Sequence, residues 1–145
     1  MNKSPFTFSM DKAKLDPSVI HAFLTESYWS KGCSIDNVLS RIENALCFGV
    51  YDGDKQIGFA RAVTDKATFA YIADVFILEN YRGKGLSKQL MAFILAQPDL
   101  KNLRRWLLAT RDAHGLYAQH GFTPLSKPEL WMEIMNPNAY MLSEK

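Results

Sequence analysis

The residues with the clearest chemistry form a basic, glycine-rich turn, Arg82-Gly83-Lys84-Gly85, which follows an apolar run and precedes a helical pattern that begins at Leu86. The start of a helix leaves backbone N–H groups without intrahelical partners, and these groups attract an anion. The glycines lack the Cβ atoms that would keep a diphosphate away from the backbone, and Arg82 and Lys84 supply positive charge. The spacing predicts a phosphate-binding turn.

A single acid, Asp74, lies within the apolar run that leads to this turn. A carboxylate could orient an amine or relay its proton, since an amine with a pKa near ~10 attacks only as the free base. It could equally be a structural partner of Arg61, because a hairpin that pairs Thr64 with Phe69 would place Arg61 and Asp74 diagonally on one face. Such an ion pair would make Asp74 a poor base. The sequence leaves both roles open.

Composition narrows the class of protein. With 145 residues, of which 48% are hydrophobic and 22% are charged, we expect one globular domain spanning residues 1–145. No apolar run reaches the ~18 residues of a membrane span, and the amino-terminal ten residues lack the pattern of a secretory signal, so we expect a cytoplasmic protein with no membrane partner. A net charge of +2 spread among acids gives no indication of nucleic acid as a partner.

The two cysteines, Cys33 and Cys47, have no histidine or cysteine at metal-binding spacing. We therefore expect reduced thiols and no metal site.

Periodicity places these residues on alternating elements. We expect a helix from Pro17 to near Tyr28, capped by Asp16, and a second helix capped by Ser34. The other predicted elements are strands over residues 6–10, 47–51, 56–64, 69–78, 105–110 and 130–134, a helix from Leu86 to Pro98, and a short helix from about Asp112 to His120.

This order predicts an α/β fold with a mixed, mostly antiparallel sheet flanked by helices. The one parallel crossover joins the strand before the glycine turn to the strand at residues 105–110. Open α/β sheets bind ligands at the carboxyl ends of such a pair, which is where the turn lies.

Two segments resemble motifs of the GNAT superfamily of acyl-CoA-dependent N-acyltransferases. Residues 75–90 resemble motif A, whose turn corresponds to Arg82, Gly85 and Ser87 here, and residues 113–122 resemble motif B. Ser87 departs from the family's Gly or Ala, but a serine is small and adds a hydroxyl donor. The similar order of elements extends over nearly the whole chain.

The resemblance implies acetyl-CoA as the co-substrate. It implies that the strand bulges near Asp74 and splays from its neighbour. It also implies that the backbone of Phe76, Ile77 and Leu78 pairs with pantetheine. The diphosphate is then held by backbone N–H groups of the turn, those of Gly83, Lys84, Gly85, Leu86 and Ser87. Tyr117 corresponds to the general acid near the CoA sulfur, although a tyrosine there could also be only a core aromatic. Tyr28 and Trp29 correspond to positions that line the acceptor pocket in the family. Arg61, the possible partner of Asp74, is the third candidate for binding the acceptor substrate.

These expectations describe an N-acetyltransferase in which a small-molecule or peptide amine attacks acetyl-CoA directly. One rival is a non-catalytic acyl-CoA binding or sensing module. Another is an interaction domain with a basic face formed by Arg82, Lys84, Lys88, Lys101, Arg104 and Arg105. The sequence leaves open the acceptor, the acyl-chain length, the general base and the oligomeric state, including a homodimer.

Overall fold

The structure, a computed structural model, describes residues 5–140. Its sheet has five strands in the sequential order β1-β2-β3-β4-β5, and all neighbours are antiparallel except β4 and β5, which are parallel. The predicted mixed, mostly antiparallel α/β fold is therefore confirmed. The strands are β1 (Phe6–Ser9), β2 (Leu46–Asp52), β3 (Lys55–Thr64), β4 (Phe69–Ile77) and β5 (Arg105–Leu108).

The helices begin where side chains cap them. The Asp16 carboxylate accepts hydrogen bonds from the first-turn N–H groups of one helix, and the Ser34 hydroxyl accepts one from the first turn of the next, as the sequence predicts. Each cap satisfies donors that a helix start leaves free. The α-helices of the described residues are α1 (Pro17–Leu24), α2 (Ile35–Glu43), α3 (Leu86–Leu95) and α4 (His114–Ala118).

The first helix is shorter than predicted, since α1 ends at Leu24 rather than near Tyr28. The Ser27 hydroxyl donates to the Leu24 carbonyl at 2.7 Å and accepts from the Ser30 N–H at 3.1 Å, which replaces the next helical turn with a side-chain-stabilised loop. Tyr28 and Trp29 therefore lie on a loop between α1 and α2 instead of on a helix.

Apolar side chains cover both faces of the sheet. On one face α1 and α2 bury Ile20, Leu24 and Val38 against Phe59 and Phe76 of the central strands. On the opposite face α3 and α4 pack over a second cluster that includes Phe48, Ile57, Ile77, Leu90 and Ile94. Neighbouring residues of one strand alternate between the two clusters, as the pleat requires.

The predicted last strand over residues 130–134 is wrong for this structure. Pro128–Leu130 form a 3-10 turn, and the chain from Trp131 to Asn136 pairs with no strand among the described residues. Its alternating apolar pattern is typical of a strand, but a strand exists only where a neighbour completes its backbone hydrogen bonds. No such neighbour lies beside the segment within residues 5–140.

Candidate active site

The strands β4 and β5 separate halfway along β4. Their parallel pairing ends at Ile72 and Leu108, although β4 continues to Ile77. The backbone of β4 beyond Ile72 therefore lacks a strand partner on its β5 side. A free strand edge of this kind can pair with an extended amide-bearing ligand.

A bulge lies at the point where the strands separate. Phe59 faces Phe76 and Arg61 faces Ala73, so β4 has one extra residue opposite Ala60. Asp74 occupies the bulge with a left-handed φ of 55°. This conformation costs roughly 1–2 kcal/mol for a residue with a side chain, so other contacts must hold it.

Three donors hold the Asp74 carboxylate, whose side chain is 2% exposed. Oδ1 accepts from Trp29 Nε1 at 2.8 Å, and Oδ2 accepts from Arg41 Nη1 at 3.0 Å and from Arg61 Nε at 2.6 Å. Burial alone would raise the pKa of Asp74, but the charges of Arg61 and Arg41 and the hydrogen bonds from Arg61 and Trp29 outweigh burial and lower the pKa. The carboxylate is ionised at neutral pH.

The contact between Arg61 and Asp74 forms in a register that differs from the one considered in the sequence. The sequence analysis considered a pairing of Thr64 with Phe69, but Thr64 pairs with Ala70. Thr64 contacts Phe69 only through its hydroxyl, which donates to the Phe69 carbonyl. Arg61 consequently lies opposite Ala73, and the bulge brings Asp74 onto its guanidinium.

Sequence reasoning missed Arg41, the second cation at Asp74. Arg41 lies on α2, three residues after the buried Val38, and its side chain also donates to Asn37 Oδ1 at 2.7 Å and to Ser30 Oγ at 2.9 Å. The spacing from Val38 places Arg41 on the inward side of the helix, which is a signal available in the sequence. The sequence gives no comparable signal for the packing of α2 against β4, which brings Arg41 to Asp74.

The glycine turn forms an open anion site at the start of α3. Gly83 and Gly85 have left-handed φ values of 80° and 78°, and a Cβ at Gly83 would point into open space. Gly85 is the residue before the helix, and no side chain caps the N–H groups of the first turn, which include those of Leu86 and Ser87. The helix dipole adds positive potential at this point.

The turn adjoins the free edge of β4. Arg82 Nε donates to the Ile77 carbonyl at 2.9 Å and so fixes the turn to the end of the strand. A depression of about 280 Å³ opens here, and its other side is closed by Leu116 of α4 and by Gln119, the residue after that helix. Its remaining lining includes Ile77, Tyr81, Arg82, Gly83, Gly85, Leu86, Ser87 and Lys88. The free edge and the anion site form one continuous surface.

Tyr117 of α4 is 8% exposed and packs edge-on against Phe122, with ring centroids 5.9 Å apart. Burial, followed by the neighbouring phenol of Tyr28, raises the pKa of Tyr117 to about 12. The phenol is therefore protonated at neutral pH and can act as a hydrogen-bond donor. It also lines a groove of about 1090 Å³ beside β5.

Tyr28 and Trp29 connect the two parts of the site. Their rings meet edge to face at 5.1 Å, with Trp29 bonded to Asp74 and Tyr28 close enough to Tyr117 to influence its ionisation. Arg111, which sequence reasoning also missed, donates its backbone N–H to the Tyr28 hydroxyl at 3.2 Å and stacks its guanidinium 3.8 Å from that ring. The structure thus brings together the predicted residues Tyr28, Trp29, Asp74 and Tyr117.

Metal-ligand clusters, membrane-spanning helices and reactive thiols were each sought among residues 5–140. No group of three or more His, Cys, Asp or Glu side chains in this range could hold a metal ion, and no helix there could cross a membrane. Cys33 and Cys47 are free and buried, and burial raises the pKa of Cys47 to about 11, which disfavours a nucleophilic thiolate.

Residues 43–124 match a family model described as an acetyltransferase (GNAT) domain. A candidate acetyltransferase of the GNAT family from Xanthomonas campestris superposes with a TM-score of 0.91 at 46% identity, over 93% of this chain and 96% of that one. An uncharacterised N-acetyltransferase of Prochlorococcus marinus is 33% identical over 81% of this chain and 68% of that protein. A predicted acetyltransferase of Clostridium acetobutylicum, whose crystal structure contains acetyl-CoA, shares the fold at a TM-score of 0.65 and 12% identity, over 90% of this chain and 94% of that one.

Proposed function

Because this chain belongs to the GNAT family of acetyltransferases, we propose that it transfers an acetyl group from acetyl-CoA to a primary amine by direct attack. The observation that carries the proposal is the continuity of the free β4 edge with the anion site at the start of α3. A pantetheine diphosphate has amides at one end and an anion at the other, in the same order as this surface.

The residues present fit such a co-substrate. In the proposal the backbone of Phe76, Ile77 and Leu78 pairs with the pantetheine amides, since the end of β4 has no strand on its β5 side and Leu78 follows it directly. The N–H groups of the glycine turn and of the first turn of α3 hold the diphosphate, and no Cβ at Gly83 or Gly85 blocks its approach. Acetyl-CoA supplies the activated thioester.

The amine acceptor enters, in this proposal, on the side of the gap walled by Tyr28 and Trp29. Asp74 serves there as a positioning residue, because a carboxylate that already accepts three hydrogen bonds and has a lowered pKa is a poor base. It fixes the Trp29 ring and the bulged backbone of β4.

Tyr117 stabilises the leaving thiolate by donating a hydrogen bond. Full proton transfer from a phenol with a pKa of about 12 to a thiolate with a pKa near ~8.5 would be uphill by about 5 kcal/mol, at 1.36 kcal/mol per pKa unit. In the overall reaction the nitrogen–carbon bond forms, the carbon–sulfur bond breaks, and one amine proton is finally taken up by the thiolate. Alignment of amine and thioester supplies much of the rate.

The test is to measure thiol release from acetyl-CoA across a panel of small amines, amino acids and peptides. We expect release above the no-amine background with at least one class of amine, and a product that carries the acetyl group. Protein that binds acetyl-CoA but gives no release above background with any amine would contradict the proposal and favour a non-catalytic acyl-CoA module.

A further inference from the structure

Arg111 is a cation without an ionic partner beside the candidate site. It is an exposed residue on the loop between β5 and α4, three positions after Leu108, where β5 ends. Within residues 5–140 its guanidinium forms no ion pair and no hydrogen bond, even with Asp112, the next residue in the chain. The five N–H donors of the guanidinium are therefore available to a ligand.

Two contacts with Tyr28 hold Arg111 in one place. The backbone N–H of Arg111 donates to the Tyr28 hydroxyl at 3.2 Å, and the guanidinium carbon lies 3.8 Å from the centroid of the same ring, in cation–π contact. The ring covers the guanidinium from one side without using its N–H donors. A cation fixed in this way loses little conformational entropy when it binds an anion, so it is preorganised for binding.

The position of Arg111 relates it to the acceptor side of the gap, the side that Tyr28 and Trp29 wall in the proposed function. Tyr28 is 51% exposed, so a substrate can reach the pair that its ring forms with Arg111. The phenol of Tyr28 is also close enough to Tyr117 to influence its ionisation. Arg111 is thus separated by one ring from the phenol that we assign to the leaving thiolate.

Positive charge predominates on this side of the gap. Asp74 is the only acid in its ion cluster and pairs with two cations, Arg41 at 3.0 Å and Arg61 at 2.6 Å. The Arg41 side chain is 10% exposed, and its buried Nη2 has no hydrogen-bond partner within residues 5–140. The cluster therefore keeps one positive charge in excess, and Arg111 adds another.

This charge distribution selects among amines. It attracts an anionic group and repels an acceptor that carries only positive charge. It also disfavours the ammonium form of a bound amine relative to the free base, which is the form that attacks a thioester. An acceptor with both an amine and an anionic group fits the site better than a simple amine or a polyamine does.

We propose that Arg111 binds a carboxylate of the acceptor, so that the substrates are primary amines that also carry a carboxylate, of which amino acids are the simplest. A guanidinium binds a carboxylate through two parallel N–H···O bonds. Its single charge matches a carboxylate, whereas a phosphate monoester carries about −1.5 to −2. The inference rests on the proposed acetyl transfer and adds the class of acceptor to it.

The first test compares matched acceptors with wild-type protein. Acetylation of the common amino acids is measured beside that of the corresponding amino acid amides, and β-alanine beside phosphoethanolamine. We expect kcat/KM for the best amino acid to exceed that of its amide at least about tenfold, and β-alanine to exceed phosphoethanolamine.

The outcomes separate this inference from the proposed function. Equal kcat/KM for acids and amides would overturn the carboxylate site and leave acetyl transfer to amines intact. A preference for phosphoethanolamine over β-alanine would overturn the choice of a carboxylate. No thiol release with any amine would overturn both proposals.

The second test assigns the effect to Arg111. We expect Arg111→Gln to lower kcat/KM for the preferred amino acid at least about tenfold while changing that for its amide, and the KM for acetyl-CoA, by less than about twofold. Arg111→Lys keeps the charge but not the fork of donors, so its loss should be intermediate. Arg104→Gln is the matched control, because Arg104 is an exposed arginine just before the opposite end of β5, and it should behave as the wild type.

An equal loss for acid and amide in Arg111→Gln would show that the residue only supports Tyr28. A rise in the KM for acetyl-CoA alone would assign Arg111 to the co-substrate. Either result would overturn the inference. Should Arg111→Gln fail to fold by circular dichroism, Arg111→Lys and the wild-type comparison of acids with amides decide by the same criteria.

Discussion

Replacing Asp74 with Asn removes the charge at the centre of the site while preserving its shape. Asparagine tolerates the left-handed conformation that residue 74 adopts, so the substitution leaves the bulge without added backbone strain. It also leaves the guanidinium groups of Arg41 and Arg61 buried beside a neutral amide. The stability lost therefore measures the ion cluster itself.

Removing one member of a buried ion pair costs about 3–5 kcal/mol, and the 2% exposure of the Asp74 side chain places this cluster in that class. For 145 residues the loss corresponds to a fall in Tm of about 10–16 °C, from an unfolding entropy of about 0.3 kcal/mol/K. Asp99→Asn is the matched control: Asp99 pairs with Lys66 at 3.7 Å with both side chains more than half exposed, so it should cost less than about 1 kcal/mol.

The difference between wild type and Asp74→Asn should depend on pH. The pKa of Asp74 is lowered in the folded protein, so its contribution is complete above the unfolded-state pKa of about 4 and is lost as pH falls through the lower folded-state value. Urea unfolding followed by circular dichroism between pH 7.5 and 3 would show this convergence. Equal stability of wild type and variant at pH 7 would refute the ion-cluster argument.

The remaining predictions concern the two substrates. Tyr117→Phe should leave acetyl-CoA affinity within a few-fold and lower kcat by at least about tenfold, whereas unchanged turnover would remove the phenol from the mechanism. Gly85→Glu should abolish acetyl-CoA binding measured by calorimetry, because it places a side chain and a negative charge in the anion site. The control Gly53→Glu, at another left-handed glycine with a φ of 61°, should retain binding. Equal affinities of the two variants would contradict the placement of the diphosphate at Gly85. Since burial raises the pKa of Tyr117 to about 12, the phenol keeps its proton below that value, and a kcat profile should show no loss from its ionisation between pH 7 and 10. A loss that disappears in Tyr117→Phe would contradict this pKa.

Local patterns were sufficient to predict the elements that position the site. The caps at Asp16 and Ser34, the glycine turn after β4 and the helix at Leu86 each depend on a few adjacent residues, and the structure has them where the sequence places them. The strand expected at residues 130–134 failed because its pattern needs a neighbouring strand, which the described part of the single chain does not supply.

Contacts between distant segments were harder to predict. Arg41 reaches Asp74 only because α2 packs over β4, and Arg111 reaches Tyr28 across 83 positions of sequence. The bulge at Asp74 depends on one extra residue opposite Ala60, which neither strand shows alone; it was expected only because the family resemblance implies it. The sequence thus indicates Asp74 and its partner Arg61, but the second cation at Asp74, Arg41, is placed there by tertiary packing.

The central claim is that the turn from Arg82 to Ser87 and the free edge of β4 bind acetyl-CoA together. Isothermal titration calorimetry of folded wild-type protein tests it directly, with acetyl-CoA and, separately, acetyl-pantetheine, which lacks the diphosphate and the phosphorylated adenosine attached to it. We predict binding of one acetyl-CoA per chain and affinity for acetyl-pantetheine at least a hundredfold weaker. No heat with acetyl-CoA, or equal affinity for both compounds, would contradict the account.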